Sequence, residues 1–183
     1  MTYFDKREVA AIALFSAFWG VSGSIFAPIV FRVFGLPILC DVIGFATLTV
    51  AVWWIRKFGA AISVGLIATV INFMFNPTGF HFLGFTAASI VFDIMAKLIG
   101  YYRCFRNKLF ARFSMLSVSV LSAAVAGLII GTFFMTGPAL AIWGGVIAWA
   151  TLHAIGGVIA GLIGTALIIA LDIRRVRKMG VKR

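Results

Sequence analysis

Acidic residues are nearly absent from this sequence: five Asp and Glu stand against sixteen Lys and Arg among 183 residues. Charged residues together make up only 11%, less than half their share in a soluble domain, which excludes a water-soluble globule. Two cysteines, Cys40 and Cys104, supply neither a disulfide framework nor a C-x-x-C pair. The sequence also lacks a G-x-x-x-x-G-K-[ST] phosphate loop, an H-E-x-x-H pair, a nucleophile elbow and any two carboxylates within one apolar run. Nothing here is equipped for nucleotide hydrolysis, metal-assisted hydrolysis or acyl transfer. The expectation is a protein that is not an enzyme, with no catalytic residues, no metal and no cofactor.

What is present is apolar surface: 63% hydrophobic residues, among them 19 Phe, 5 Trp and 3 Tyr. A chain of this size cannot fold that much apolar surface away from water. An all-α membrane protein follows, and about 20 apolar residues make one helical crossing. Six crossings are expected, at about residues 9–28, 37–55, 58–75, 80–102, 113–135 and 149–173, in a single integral domain spanning 1–183. Asn76-Pro77-Thr78-Gly79 and Thr136-Gly137-Pro138 supply turn signals between them. The uncharged run from Ala139 to Leu171 would reach about 50 Å as one straight helix, too long for one crossing. Its first part, Ala139 to Ala148, is therefore expected as a short outer or re-entrant segment broken at Gly144-Gly145. The first apolar run, Val9 to Phe31, is too long for a signal-peptide core.

Basic residues set the expected orientation. Lys6 and Arg7, Arg56 and Lys57, the group Arg103, Arg106, Lys108 and Arg112, and the group Arg174, Arg175, Arg177, Lys178, Lys182 and Arg183 all fall on one side if both termini are cytoplasmic. Arg32 alone falls on an outer loop, and Lys97 lies within the fourth span. A net charge of +11 would suggest nucleic acid in a soluble protein, but no stretch outside the spans is long enough for a reader domain, so no nucleic-acid partner is expected. Cys40 and Cys104 end on opposite sides and are expected as packing residues.

Few residues remain that could carry specific chemistry. Asp93 and Lys97 are four apart on one helix face and are expected to pair. Ala13 and Ala17 share a face with Ala10 and Gly20; small residues at this spacing admit another helix, either within the bundle or from a partner. Gly157, Gly161 and Thr165, with Gly156, Ala160 and Gly164, repeat the pattern in the last span, where internal packing is expected. Aromatics crowd the end away from the basic clusters: Phe26, Phe31 and Phe34; Phe73, Phe75, Phe80, Phe82 and Phe85; Phe133, Phe134 and Trp143. An interfacial belt accounts for about half of them. The rest could stack on a flat ligand, with hydrogen bonds from Asn72, Asn76, Thr78 and His81. The candidate substrate-binding residues are Asn72, Asn76, His81, Phe82, Phe85, Phe134, Trp143, Trp149 and His153. A packing role for His153 competes with ligand contact.

Six short spans in fewer than 200 residues, both ends inside, with Ala13-Leu14-Phe15-Ser16-Ala17 on the first helix, resemble the substrate-binding S component of energy-coupling factor (ECF) transporters. Trp54-Ile55-Arg56-Lys57-Phe58-Gly59-Ala60-Ala61 looks like the turn between second and third spans in the YkoE group, which is associated with hydroxymethylpyrimidine or thiamine. Phe58 stands where a Pro is typical there, and Phe80-His81-Phe82-Leu83-Gly84-Phe85 replaces a Gly- and Gln-rich stretch. The resemblance implies a vitamin-binding, multi-pass subunit of the cell membrane. It implies a pocket opening outward among the first loop and the fourth to sixth helices. It further implies a transmembrane scaffold (T) subunit and two ATPase subunits as partners, with Ala13 and Ala17 as the scaffold-docking residues. A self-sufficient carrier or channel, and a ligand-free membrane scaffold, are the alternative readings.

Overall fold

A computed structural model describes residues 3–180, with side chains to residue 173; the side chains of the last basic cluster, from Arg174 to Arg183, lie outside the described residues. All the regular structure described is helical. In chain order the helices are α1 (Lys6–Phe34), α2 (Ile38–Ile55), α3 (Ala60–Phe75), α4 (Phe82–Ile99), a single turn α5 (Tyr101–Cys104), α6 (Lys108–Ile129) running into a π-helical turn (Ile130–Phe134), the short α7 (Gly137–Ile142) and α8 (Val146–Gly180). Five of them, α1, α2, α4, α6 with its π turn, and α8, are long and apolar enough to cross a membrane, which makes this a multi-pass membrane protein. The sixth, α3, is also apolar but has only 16 residues.

The helix ends differ from the sequence expectation for identifiable reasons. The first helix does not stop at Pro28. It continues to Phe34 and ends where Gly35 takes a left-handed cap at φ 69° and returns its N–H to the Phe31 carbonyl. In an apolar medium, giving up the helix would strand more backbone groups than the one N–H that proline lacks. At its start, Asp5 and Glu8 form a reciprocal capping box, and the Glu8 backbone N–H holds the Asp5 carboxyl below the usual carboxylate range. The fourth helix breaks at Gly100 (φ 93°) instead of running to Tyr102. The fifth begins at Lys108, well before 113, because Asn107 accepts the Phe110 N–H at 2.8 Å. The last begins at Val146, directly after Gly144 and Gly145 turn the chain at φ 79° and 91°. The segment before it is the short helix α7, much as its Gly-Gly break suggests.

Each long helix packs chiefly on two others, in the closed order α1, α3, α4, α6, α8, α2 and back to α1. The α2 helix is the most deeply buried, and it also touches α3, α4 and α6. This explains its lack of an amphipathic face: Phe45, Ala46, Thr47, Leu48, Thr49, Val50, Ala51 and Val52 are all buried, a consecutive run that goes right round the helix. Phe45 stacks on Phe92 at 6.3 Å, and Trp19 lies against Gly44.

The two glycine stripes of α8 pack internally, on different partners. Gly157 and Gly161 meet α6, and Gly156 and Gly164 meet Asp41 and Thr49 of α2. Backbone approaches closely at Gly127 of α6, where an added Cβ would fall 2.7 Å from the Ala150 Cα. Backbone cannot yield as a side-chain tip can, so Gly127→Val is expected to cost about 3 kcal/mol or more. Thermal unfolding in detergent would show it as a large loss of midpoint or of folded yield, while a wild-type midpoint would contradict this packing.

Asp93 and Lys97 do not pair. The Asp93 carboxylate instead accepts the Tyr101 hydroxyl at 2.6 Å and the Ile62 N–H at 3.2 Å, while the Lys97 ammonium sits 4.4 Å from the centre of the Phe58 ring. The break at Gly100 folds Tyr101 back onto α4, and the first turn of α3, whose Gly59 cap has no side chain to offer, presents free N–H groups. Asp93 therefore caps a neighbouring helix, where its charge opposes the positive helix end. Tyr101→Phe is expected to destabilise the protein by about 1–2 kcal/mol, read as a lowered unfolding midpoint. No change would mean that the carboxylate is satisfied without the hydroxyl.

Candidate functional site

At the bundle end away from the basic clusters the helices splay around a cavity of about 300 Å³. That volume lies at the lower limit for small-molecule sites. Every long helix contributes. Gly23, Ala27, Pro28 and Phe31 come from α1, Pro37 and Cys40 from the start of α2, and Asn72 and Asn76 from the end of α3. Beyond them, His81, Phe82 and Phe85 come from the start of α4, Ile130, Phe134 and Met135 from the end of α6, and Trp149 and His153 from the first turns of α8.

Eight of the nine sequence candidates thus border one cavity: Asn72, Asn76, His81, Phe82, Phe85, Phe134, Trp149 and His153. Trp143 does not reach it. The Gly144-Gly145 turn sets its ring behind the wall, 5.3 Å from Trp149 and 6.3 Å from Phe31, so it supports two wall residues from outside. Phe31, Phe82, Phe85 and Phe134 border the cavity, the first and last of them also partly exposed, whereas Phe26, Phe34, Phe75, Phe80 and Phe133 are exposed and do not border it. The π turn at the end of α6 carries Ile130 and Phe134, an interruption of the kind that often re-aims side chains at a site.

Polar groups on the wall are few. Asn72 is buried and donates its Nδ2–H to Ser24 Oγ at 2.9 Å, which leaves Oδ1 without a partner. Thr78 donates to Asn76 Oδ1 at 3.1 Å and so belongs to the loop, not the cavity. Trp149 Nε1 is buried with no acceptor. His153 is held through Nδ1, 2.9 Å from Asp41 Oδ1, and both side chains are essentially inaccessible. Its Nε2 has no partner either. Buried polar atoms without partners are uncommon, and three of them belong to residues that line this cavity, while Ser119 and Ser122 of α6 carry two more away from it. No Lys, Arg, Asp or Glu is among the cavity-lining residues.

Sequence reasoning missed Asp41, Cys40 and the α1 wall. Cys40 borders the cavity in addition to packing, while Cys104 is simply buried. The α1 wall of Gly23 and Ala27 follows the helix period and lies within the expected first crossing, but nothing in that spacing says that this face borders a cavity. The cavity is lined from all the long helices, whereas the ECF resemblance implied a pocket among the first loop and the fourth to sixth helices.

The exposed alanines sit elsewhere. Ala10, Ala13 and Ala17 are exposed on α1, flanked by exposed Leu14 and Phe18. Gly20, expected on the same face, is turned inward instead: an added Cβ there would lie 2.7 Å from Ile71 Cβ. The small-residue face is thus Ala10, Ala13 and Ala17, toward the basic end of the molecule. Comparison of the chain with protein-family models, with curated proteins and with solved structures gave no match.

Proposed function

We propose that this protein is the substrate-binding S component of an ECF-type importer, a non-enzymatic subunit of the cell membrane that captures a small, flat, vitamin-like solute. In this reading the short α3 is the sixth crossing and both termini are cytoplasmic. The basic clusters then lie inside and the cavity opens outward, as the distribution of Lys and Arg favours. The observation that carries the reading is the cavity itself, walled by aromatics and uncharged polar groups at the end opposite the basic clusters. A ligand-free scaffold gives no reason for an open cavity lined by aromatic rings together with Asn72, Asn76, His81 and His153.

The rest of the reading divides labour between subunits. Solute is held at the outer end, and Ala13 and Ala17 form a smooth contact for a transmembrane scaffold (T) subunit served by two ATPase subunits. Release follows when this subunit reorients against that scaffold in the lipid bilayer. Thiamine and hydroxymethylpyrimidine are the solutes that the family resemblance brings forward, and the first of these carries a charge that the uncharged wall does not complement. Mass spectrometry of small molecules retained by the purified protein tests the proposal. One small aromatic solute held in near-stoichiometric amount is expected, and a protein retaining no small molecule even after growth in rich medium would count against it.

A further inference from the structure

A second pocket lies at the opposite end of the bundle, beside the basic clusters, and its chemistry is unlike that of the solute cavity. It encloses about 330 Å³ and is lined by Trp53, Trp54, Ile55 and Arg56 at the end of α2, Tyr102 of α5 and Asp172 of α8. The length of α2 sets its depth. With 18 residues that helix is about 27 Å long, close to the roughly 30 Å of hydrocarbon, so Arg56 stands at the edge of the apolar layer. Trp54 and Tyr102 are exposed beside it, where aromatic rings meet lipid headgroups.

Arg56 is held in place by its own chain. It is the one described residue other than glycine with a positive φ, 53°, in a left-handed cap whose N–H returns to the Val52 carbonyl. From there its Nε–H donates to the Trp53 carbonyl at 3.1 Å. The guanidinium lies 5.3 Å from the centre of the Tyr102 ring and 5.8 Å from that of Phe105. Among the described residues its two Nη groups find no acceptor, and it makes no ion pair. Lys57, one position on, differs, because Glu8 and the Tyr3 carbonyl take its ammonium. A fixed guanidinium with free N–H groups at the apolar boundary suits the paired oxygens of a phosphodiester. Asp172 brings a negative charge to the same pocket without pairing with Arg56.

We propose that this pocket holds the headgroup of a phospholipid whose phosphodiester carries a primary ammonium, the ethanolamine type. The phosphate accepts from the Arg56 Nη groups, the ammonium donates to the Asp172 carboxylate, and the acyl chains leave past Trp54 and Tyr102. A glycerol headgroup supplies the phosphate but no cation, which leaves Asp172 facing the phosphate's own charge. Free inorganic phosphate lacks both the ammonium and the chains. The net charge of +11 works in the other direction, since charge alone favours an anionic lipid over a zwitterion. Tighter binding of the zwitterion is therefore the mark of this pocket and not of the basic surface around it. The solute cavity, at the far end of the bundle, plays no part.

Native mass spectrometry of the full chain, stripped of lipid in detergent and titrated with dioleoyl phosphatidylethanolamine or dioleoyl phosphatidylglycerol, reads the first lipid bound. The ethanolamine lipid is expected to bind at least about fivefold more tightly than the glycerol lipid. Asp172→Asn should erase that preference, and Arg56→Gln should weaken both lipids. Asp172 is exposed, so Asp172→Asn is expected to keep the wild-type unfolding midpoint. Equal binding of the two lipids by the wild type, or tighter binding of the glycerol lipid, overturns the proposal. A preference that survives Asp172→Asn does the same, because it would arise elsewhere on the surface. Displacement of the ethanolamine lipid by an equal concentration of inorganic phosphate would overturn it in favour of a site for the free anion.

Discussion

Ala13→Trp or Ala17→Trp is expected to abolish copurification with the scaffold subunit while leaving solute retention unchanged. Both alanines are exposed, so an indole there displaces nothing inside the bundle. They also precede Gly23, the first α1 residue on the cavity wall, so the wall stays intact. Between helices in lipid, close backbone approach is a main source of association, and small residues permit it. An indole at that contact should cost about 1–3 kcal/mol, or about ten- to a hundredfold in affinity. Unchanged copurification with retained solute would remove α1 as the docking face. Loss of both together would point to misfolding, which the unfolding midpoint separates from a surface effect.

His153→Leu is expected to be the most damaging single change near the cavity. It leaves Asp41 in a fully buried position with neither a hydrogen bond nor a counter-charge. Removing one member of such a pair typically costs about 3–5 kcal/mol, a large part of the stability of most domains. Adding Asp41→Asn to His153→Leu removes the stranded acid and should recover part of that loss in thermal unfolding. Solute retention should stay low in both variants, because a side chain that lines the cavity is gone. A single variant as stable as wild type would mean that the pair contributes nothing to the fold. A double variant no more stable than His153→Leu alone would mean that cavity filling, not charge, sets the cost.

Much of this was legible in the residues because membrane spans obey length and composition rules that a single sequence displays. The cavity residues were legible for a related reason. Asn72, Asn76 and His81 bracket a turn at the end opposite the basic clusters, where polar side chains between aromatic ones need an explanation. Contacts decided by three-dimensional approach were not legible. Asp41 and His153 meet across 112 positions, and no period in either helix announces it. Asp93 offered a ready partner four residues on, yet a tyrosine returned by the Gly100 break and a backbone N–H of α3 took its place. Local spacing says which groups can meet, while the competition among partners is settled by packing. The same holds for α1, where periodicity grouped Gly20 with the alanines but the crossing of α3 drew it inward.

The division between a binding subunit and an external motor can be tested directly with vesicles containing only this chain, supplied with the solute it retains on purification. Saturable binding at one solute per chain is expected, with no accumulation that an osmotic or detergent release step could reveal. Uptake against a concentration gradient by the chain alone would contradict that division.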